Sequence, residues 1–428
     1  APKLKPVRGI IIVVVCVMLL HQLSEEIKTI HTAAETRLAV IVSHPIQDYV
    51  PLYQRLARRA DVDIKVFFTW HGGERAVLDH GFKREVAWDV NLTDGYEYEV
   101  VPNVARVPGT HHFRGLQNPS LTARVLAWQP AAVHLTGYAF DSHWRTLRAL
   151  SRAKIPVLFR GDSHLLDGAS GVKWLGKRAL LAWIYRWPAA FLYVGQANRA
   201  YYERFGVPEA KLHYCPHSIE VSRFAEPAAQ WEAEAAAWRA ELGITAAQRV
   251  LLFAGKFEDK KQPLALMQAF LQAEARDWVL VMVGDGVLGQ GVQTLAQAHP
   301  TRFRVLPFQN QSRMPLVYRL GDMLVLPSTY GETWGLAVNE ALACGRPVLV
   351  SDRVGCAADV VRAGQTGEVF RAGDWEDFRR QFARCAQWSA SLSPATLTRA
   401  AQEFDIAATE RHLMSALAAV VATKGKLS

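Results

Sequence analysis

Three observations in the sequence predict two α/β domains, each a parallel sheet covered by helices. Short apolar runs alternate with amphipathic segments from Arg37 onward. The chain has 428 residues, half of them hydrophobic, which is more than the ~250 residues at which a single core stops growing. One Ala- and Glu-rich stretch, EPAAQWEAEAAAWRAEL, interrupts the strand-like runs midway and sets a boundary near residues 221–245.

In chain order, the first half offers RLAVIVSHP, VDIKVFFTW, YEYEVVPN, AAVHLTGY, PVLFRGDSH, AFLYVGQ and KLHYCPHSI as strands. The second half offers RVLLFAGKF, WVLVMVGDG, RFRVLPFQ, MLVLPS, PVLVSDRVG and GEVFRAGD. Each half then reads as a Rossmann-like unit, residues 37–220 and 221–404. Leu413, Leu417, Val420 and Val421 recur at helical spacing, so a helix over about 405–424 must dock on one of the two units.

Residues 1–36 form an extension. Lys3, Lys5 and Arg8 precede the apolar run GIIIVVVCVMLL, which is shorter than the ~20 residues needed to span a bilayer. No small-residue cleavage site follows it. A segment that lies on a membrane or packs on the body is the expectation. The five cysteines are scattered, without a CxxC pair, which suits a reducing cytosol, with the protein peripheral at the cytoplasmic face of the inner membrane.

The net charge of +9 is uneven: residues 1–220 hold 27 Lys and Arg against 19 Asp and Glu. Such a half suits an anionic acceptor or an anionic membrane surface, or is a solvated basic face. No nucleic-acid-binding motif accompanies it.

In open α/β sheets ligands sit where strands end and helices begin, so those turns carry the candidate chemistry. In PSTYGETWGLAVNEALACGRPVLVS, a buried strand precedes a turn and a helix closed by Gly345 and Pro347. The amides of Gly335, Leu336 and Ala337 point from the helix N-terminus into the expected cleft, where a diphosphate would be stabilised. Glu332 lies in the turn and Glu340 inside the helix, two carboxylates suited to hydroxyl pairs. A capping glutamate plus an exposed helical one is the plain structural alternative. The second turn, LLFAGKFEDKKQPLALMQAF, places Lys256 after Gly255 and Lys261 just before Pro263, two ammonium groups able to neutralise a leaving diphosphate.

The stretch GETWGLAVNE resembles the paired-glutamate signature of the family-four retaining glycosyltransferases (glycosyl transferases group 1). SHPIQDYVPL, FRGDSHLL, PHSIEVSRF and VGDG are similar to further family stretches. The resemblance implies a GT-B fold, two facing Rossmann-like domains with a cleft, and retaining transfer from a nucleotide-sugar donor to a sugar or lipid-linked acceptor in polysaccharide, lipopolysaccharide or glycolipid assembly. It implies no cofactor and no metal. It gives Glu332 the donor-sugar hydroxyls, Glu340 the ribose, Lys256 and Lys261 the diphosphate, and the Gly335, Leu336 and Ala337 amides a phosphate oxygen. Gly255, Gly284, Asp285 and Phe308 become nucleotide-side positions. It also implies a last helix that crosses back to the first domain. Two departures stand out. Lys256 replaces the usual Arg, exchanging a bidentate fork for a point charge. Arg160 occupies the place of a His found in some members, a role that passes to His164.

Several features imitate other functions. Gly284, Gly286 and Gly289 spell GxGxxG, but the next strand ends in Pro307-Phe308-Gln309 without the carboxylate a dinucleotide needs. Asp61-Val62-Asp63 imitates a metal-binding DxD but precedes its strand. His111-His112 has no third ligand near in sequence. GVKWLGKRALLAWIYRWPAAF interleaves Lys173, Lys177, Arg178 and Arg186 with Trp174, Trp183, Tyr185 and Trp187; the favoured reading is a core-packed helix with a basic outer side, with membrane contact as the alternative. The rivals to a transferase are an inactive membrane-docked scaffold, a nucleotide-sugar epimerase or a phosphorylase on the same fold.

Overall fold

The computed structural model describes residues 36–70, 77–79, 84–86, 89, 91–168 and 172–425. Residues 1–35 of the extension lie outside them, and with them the apolar run of the N-terminus. Two parallel sheets organise the rest. The first comprises β1 (Thr36–Val42), β2 (Val62–Phe68), β5 (Glu97–Val100), β6 (Ala132–Thr136), β7 (Val157–Arg160), β8 (Ala190–Tyr193) and β9 (Leu212–Tyr214) in the order β5-β2-β1-β6-β7-β8-β9. The second comprises β10 (Arg249–Ala254), β11 (Trp278–Val283), β12 (Phe303–Leu306), β13 (Met323–Leu326), β14 (Val348–Ser351) and β15 (Gly367–Phe370) in the order β12-β11-β10-β13-β14-β15. Each of these strands lies within a run expected from the sequence, except that β1 starts one residue earlier and takes in Thr36 from the extension. A short antiparallel hairpin, β3 (Val77–Asp79) and β4 (Arg84–Val86), was not expected.

Strand alternation splits each sheet between two cores. Leu38, Val40 and Val42 of β1 face one cluster, while Ala39 and Ile41 face the other. Val250 and Leu252 of β10 join one core of the second sheet, Leu251 and Phe253 the other. Both faces of each sheet are therefore covered, which explains why the strands read as continuous apolar runs.

The helix Ile406–Gly425 belongs to the first sheet, although it ends the chain. Leu413, Ala416, Leu417 and Val420 pack with Leu38, Val40, Tyr53 and Leu56. Glu410 fixes it, accepting from Arg55 Nε and Arg59 Nη1, both at 2.7 Å. The chain thus crosses between domains twice, and the crossings run side by side: Ile219 N–H donates to Phe404 O at 3.2 Å, and Ile406 N–H to Ile219 O at 2.9 Å.

In both sheets the order reverses beside the first strand of the unit, between β1 and β6 and between β10 and β13. Such reversals open a crevice at the carboxyl ends of the strands. The turns after β10 and β13 carry Lys256, Lys261 and Glu332, so the topology brings them together at one switch point.

Candidate active site

The first contact at that point is between a cation and an anion. Lys261 Nζ donates to Glu332 Oε2 at 2.6 Å, and Ser328 Oγ donates to the same oxygen at 2.9 Å. Both partners of the ion pair are largely buried, with side chains 14% and 16% exposed. Burial opposes ionisation of Glu332, yet the Lys261 ammonium and the Ser328 hydroxyl outweigh it and hold the carboxyl below its ordinary range. Gly255 makes room for this lysine, since a Cβ there would stand 3.3 Å from Lys261 Cδ. Gln262 follows in a left-handed conformation, φ 49°, so the 3-10 turn Asp259–Lys261 ends abruptly and the helix Pro263–Leu271 starts in a new direction. Lys256 is half-buried one residue beyond Gly255. Thr329 N–H donates to Lys260 O at 2.8 Å and ties the two turns together.

A second layer of backbone shapes the turn around Glu332. Glu332 pairs with Val354 in a parallel bridge, Gly355 N–H donates to Glu332 O at 2.9 Å, and Cys356 N–H donates to Trp334 O at 3.0 Å. Gly335, φ 98°, then opens the helix Leu336–Ala343. Leu336 and Ala337 stand in its first turn, where amides face away from the helix body. A side chain at Gly335 would meet Val354 Cγ1 at 2.9 Å, so glycine is required there by both conformation and space.

Aspartates of the first domain grip both flanks of Glu332. Thr333 Oγ1 donates to Asp162 Oδ2 at 3.0 Å, and Gly331 N–H donates to Asp167 at 3.1 and 3.2 Å. Both come from the loop after β7. Further along the same seam, Gln196 N–H donates to Asp359 at 3.1 and 3.2 Å, and Ser312 N–H to Asp89 at 3.3 Å. The carboxyl ends of the two sheets therefore face each other across a cleft. His217 lines it, stacked on Tyr49 with ring centroids 6.3 Å apart and 5.7 Å from Trp334; burial first, and Arg160 second, keep its imidazole neutral.

Glu340 is 8% exposed, which excludes the alternative of a solvated helical glutamate. The Tyr318 hydroxyl donates to it. Burial raises its pKa to about 7, with the charge of Asp48 in the same direction and the Tyr318 bond and Arg223 against it. Asp48, reaching over from the first domain, is itself raised to about 6, by burial opposed by Arg223. The sign of the linkage follows. A carboxyl raised from 4.5 to about 7 contributes stability as the acid below pH 4.5 and loses it as the pH rises through about 7. In donor-free protein, Glu340→Gln is expected to melt with the parent near pH 5 and above it at pH 8, by at most ~3 kcal/mol, while binding donor more weakly at both. Melting curves at the two pH values check this; a variant less stable at pH 8 contradicts it.

Other positions read from the sequence take different places. Gly284 and Gly286 are demanded by backbone packing: a Cβ would stand 1.9 Å from Gly255 O at the first and 2.6 Å from Phe257 O at the second. Asp285 Oδ1 accepts from Gly286 N–H at 2.7 Å, and its carbonyl accepts from Phe257 N–H at 2.8 Å, so this turn braces the Gly255–Phe257 turn from beneath. Phe308 is half-buried just past the end of β12. His164 accepts from Leu166 N–H at 3.2 Å and folds its own loop; the side chains of that loop that reach Glu332's neighbours are Asp162 and Asp167. Arg160 is buried and holds Cys215 O at 2.9 Å and Pro216 O at 3.3 Å, away from Glu332. Asp61 pairs with Arg59 and Asp63 with Arg37, at the amino end of β2. His112 Nε2 donates to Val107 O at 2.9 Å. Among the described residues no group of three His, Cys, Asp or Glu could hold a metal ion.

Two facing parallel-sheet domains, with a Lys–Glu ion pair at the switch point, make up a GT-B fold. The family model "Glycosyl transferases group 1" matches residues 234–390, and the "Glycosyl transferase 4-like domain" matches residues 93–218. Both halves of the chain thus match models of glycosyltransferase domains, the second half the group 1 model and the first half the 4-like one. It is 29% identical over 260 residues to a D-inositol 3-phosphate glycosyltransferase of Nocardia farcinica, covering 56% of this chain and 54% of that one. A protein of the same name from Rhodococcus jostii is 36% identical over 154 residues, 33% and 34% of the two chains. The chain thus spans about half or less of these curated relatives. Among solved structures, Anabaena Alr3699/HepE in complex with UDP and glucose superposes with a TM-score of 0.66 at 16% identity, covering 90% of this chain and all of that one. WaaG, a glycosyltransferase involved in lipopolysaccharide biosynthesis, gives 0.61 at 14% identity over 89% and 98%. At such identities these two share the fold alone.

Proposed function

We propose that the protein transfers a sugar from a nucleotide-sugar donor to an acceptor hydroxyl with retention of configuration and without a metal ion. The observation that carries this reading is the Lys261–Glu332 pair, 2.6 Å apart, at the switch point and facing the N-terminus of the helix Leu336–Ala343. The diphosphate would lie between Lys256, Lys261 and the Gly335 to Ala337 amides, with Glu332 on the donor-sugar hydroxyls and Glu340 on the ribose. As the bond from the anomeric carbon to the diphosphate oxygen breaks, negative charge grows on that oxygen, where the lysines and amides are already in place. The acceptor oxygen bonds to the same face of that carbon, and its proton passes to the departing phosphate. Complexes of Alr3699/HepE with UDP and with UDP-glucose support a uridine-linked donor. The acceptor, a sugar or lipid-linked sugar of polysaccharide, lipopolysaccharide or glycolipid assembly, is met on the side of the first domain at a cytoplasmic membrane surface.

Two measurements test this. Among UDP-, GDP- and ADP-sugars, one at a hundred times its dissociation constant should stabilise the protein by ~2.7 kcal/mol, and its turnover should require an added acceptor. Transfer should continue in EDTA, since Lys256, Lys261 and the helix N-terminus take the place of a cation. Loss of transfer on chelation, restored by manganese or magnesium, rules out the metal-free mechanism; acceptor-independent donor conversion points instead to an epimerase.

A further inference from the structure

The inner face of the helix Val172–Ile184, with Leu181 and Ile184, packs into the first domain's core beside Phe159, Phe191 and Tyr202. Its outer side carries the cations expected from the sequence, with Lys177 and Arg178 exposed, but shares them with apolar residues. Leu175, Gly176, Ala179, Leu180, Ala182 and Trp183 are exposed as well, with Leu175 at 61%, Leu180 at 40% and Trp183 at 37%. The patch continues through half-buried aromatics. Trp183 meets Trp187 and Trp144 with centroids 4.4 and 6.3 Å away, and Trp144 meets Phe113, itself 40% exposed, at 5.1 Å. An apolar strip of this extent on a folded domain marks a contact surface.

The surrounding charges select the occupant. Between Gly168 and Ala190 there are four Lys or Arg and no Asp or Glu, while Arg199 further on is paired with Glu203 and Glu209. Arg186 lies over the rings of Trp183 and Trp187 at 5.6 and 5.8 Å, and Lys177 and Arg178 are exposed among the apolar residues of the helix. Apolar faces of Leu and Trp with cations among them fit the boundary between lipid headgroups and acyl chains, where tryptophan and arginine are both stable. The helix also begins just past the loop whose Asp162 and Asp167 touch the turn of Glu332, so a surface on which it lies passes close to the mouth of the cleft.

We propose that the outward face of Val172–Ile184 docks the protein on an anionic lipid bilayer. This deepens the transferase reading by naming where a lipid-linked acceptor is met. The assay reads binding and not turnover, so its failure leaves that reading standing. The full-length chain is sedimented with vesicles of phosphatidylcholine alone and of phosphatidylcholine with phosphatidylglycerol. The parent should bind the anionic vesicles at least about tenfold more tightly than the neutral ones. Leu175→Ser/Leu180→Ser/Trp183→Ser should lower that affinity at least about tenfold with melting temperature and nucleotide-sugar affinity unchanged. Arg178→Glu/Arg186→Glu, at exposed positions, should abolish the preference for anionic lipid and decides the matter if the serine variant folds poorly. A parent that stays in the supernatant, or variants that sediment like the parent through the apolar run of residues 9–20, would overturn the proposal. So would a parent dimer that the serine variant converts to monomer without vesicle binding, which assigns the face to a second copy of the chain.

Discussion

Lys261→Ala is expected to lower transfer by about a hundredfold or more, the scale of losing one preorganised charge at the reacting centre. Glu332→Gln should match it, because the two groups act as a unit: 2.6 Å apart and largely buried, each is the other's counter-charge. Without Lys261 the remaining carboxylate is an uncompensated buried charge, which takes up a proton instead of holding sugar hydroxyls. The double variant Lys261→Ala/Glu332→Gln should therefore be little worse than either single change, since coupled residues are far from additive. Steady-state kinetics of the purified variants, each melting as a folded protein, provide the check. A rate within a few fold of the parent in either single variant removes that residue from the site, and fully multiplicative losses refute the coupling.

Gly355→Ala should lower transfer by about a hundredfold although Gly355 touches no substrate in the proposed mechanism. An added Cβ would lie 1.9 Å from Thr333 O and 2.5 Å from Thr333 C, so the backbone of the catalytic turn must move. Glu332, held from behind by the Gly355 amide, moves with it. Overpacking of this kind costs ~1–3 kcal/mol, and a displacement of about 1 Å at a reacting centre is itself worth a hundredfold in rate. Gly364→Ala is the control: its φ is 71°, nothing lies within 4 Å of the added carbon, and only a modest backbone strain is expected with transfer intact. Equal activity of the two variants would show that the turn is not held as described.

The strands and the motif around Glu332 were legible in the sequence because each rests on local signals: continuous apolar runs for strands covered on both faces, and a turn-helix junction within ten residues. Asp162, Asp167, Tyr318 and Gly355 were not, although they hold that junction in place. Asp162 and Thr333 are 171 positions apart and Asp167 and Gly331 164, a pairing that only the meeting of two domains creates. Tyr318 shows no pattern that distinguishes it from a core tyrosine until its hydroxyl is found on Glu340. The helix Val172–Ile184 was legible only in part. Its exposed cations Lys177 and Arg178 were read from the sequence, but periodicity could not say that Leu175, Leu180 and Trp183 face outward with them. Gly284 and Gly286, conversely, spell a nucleotide motif but answer to a packing constraint between neighbouring strand ends.

The helix Ile406–Gly425 carries a consequence for how the molecule is made. It supplies Ile406, Leu413, Ala416, Leu417 and Val420 to a core whose other buried members lie within the first 220 residues. During synthesis the first sheet emerges early, but one of its faces is covered only in part, by the helix Val50–Ala57, until the whole second domain has been translated, a wait on the order of ten seconds or more at ~5–20 residues per second. The domain begun first is the one finished last. In that interval β1 and its neighbours present a broad apolar surface to the cell, so the nascent chain is a client for chaperones, and ribosomes that stall late in the message release a protein whose donor half is complete and whose acceptor half is not.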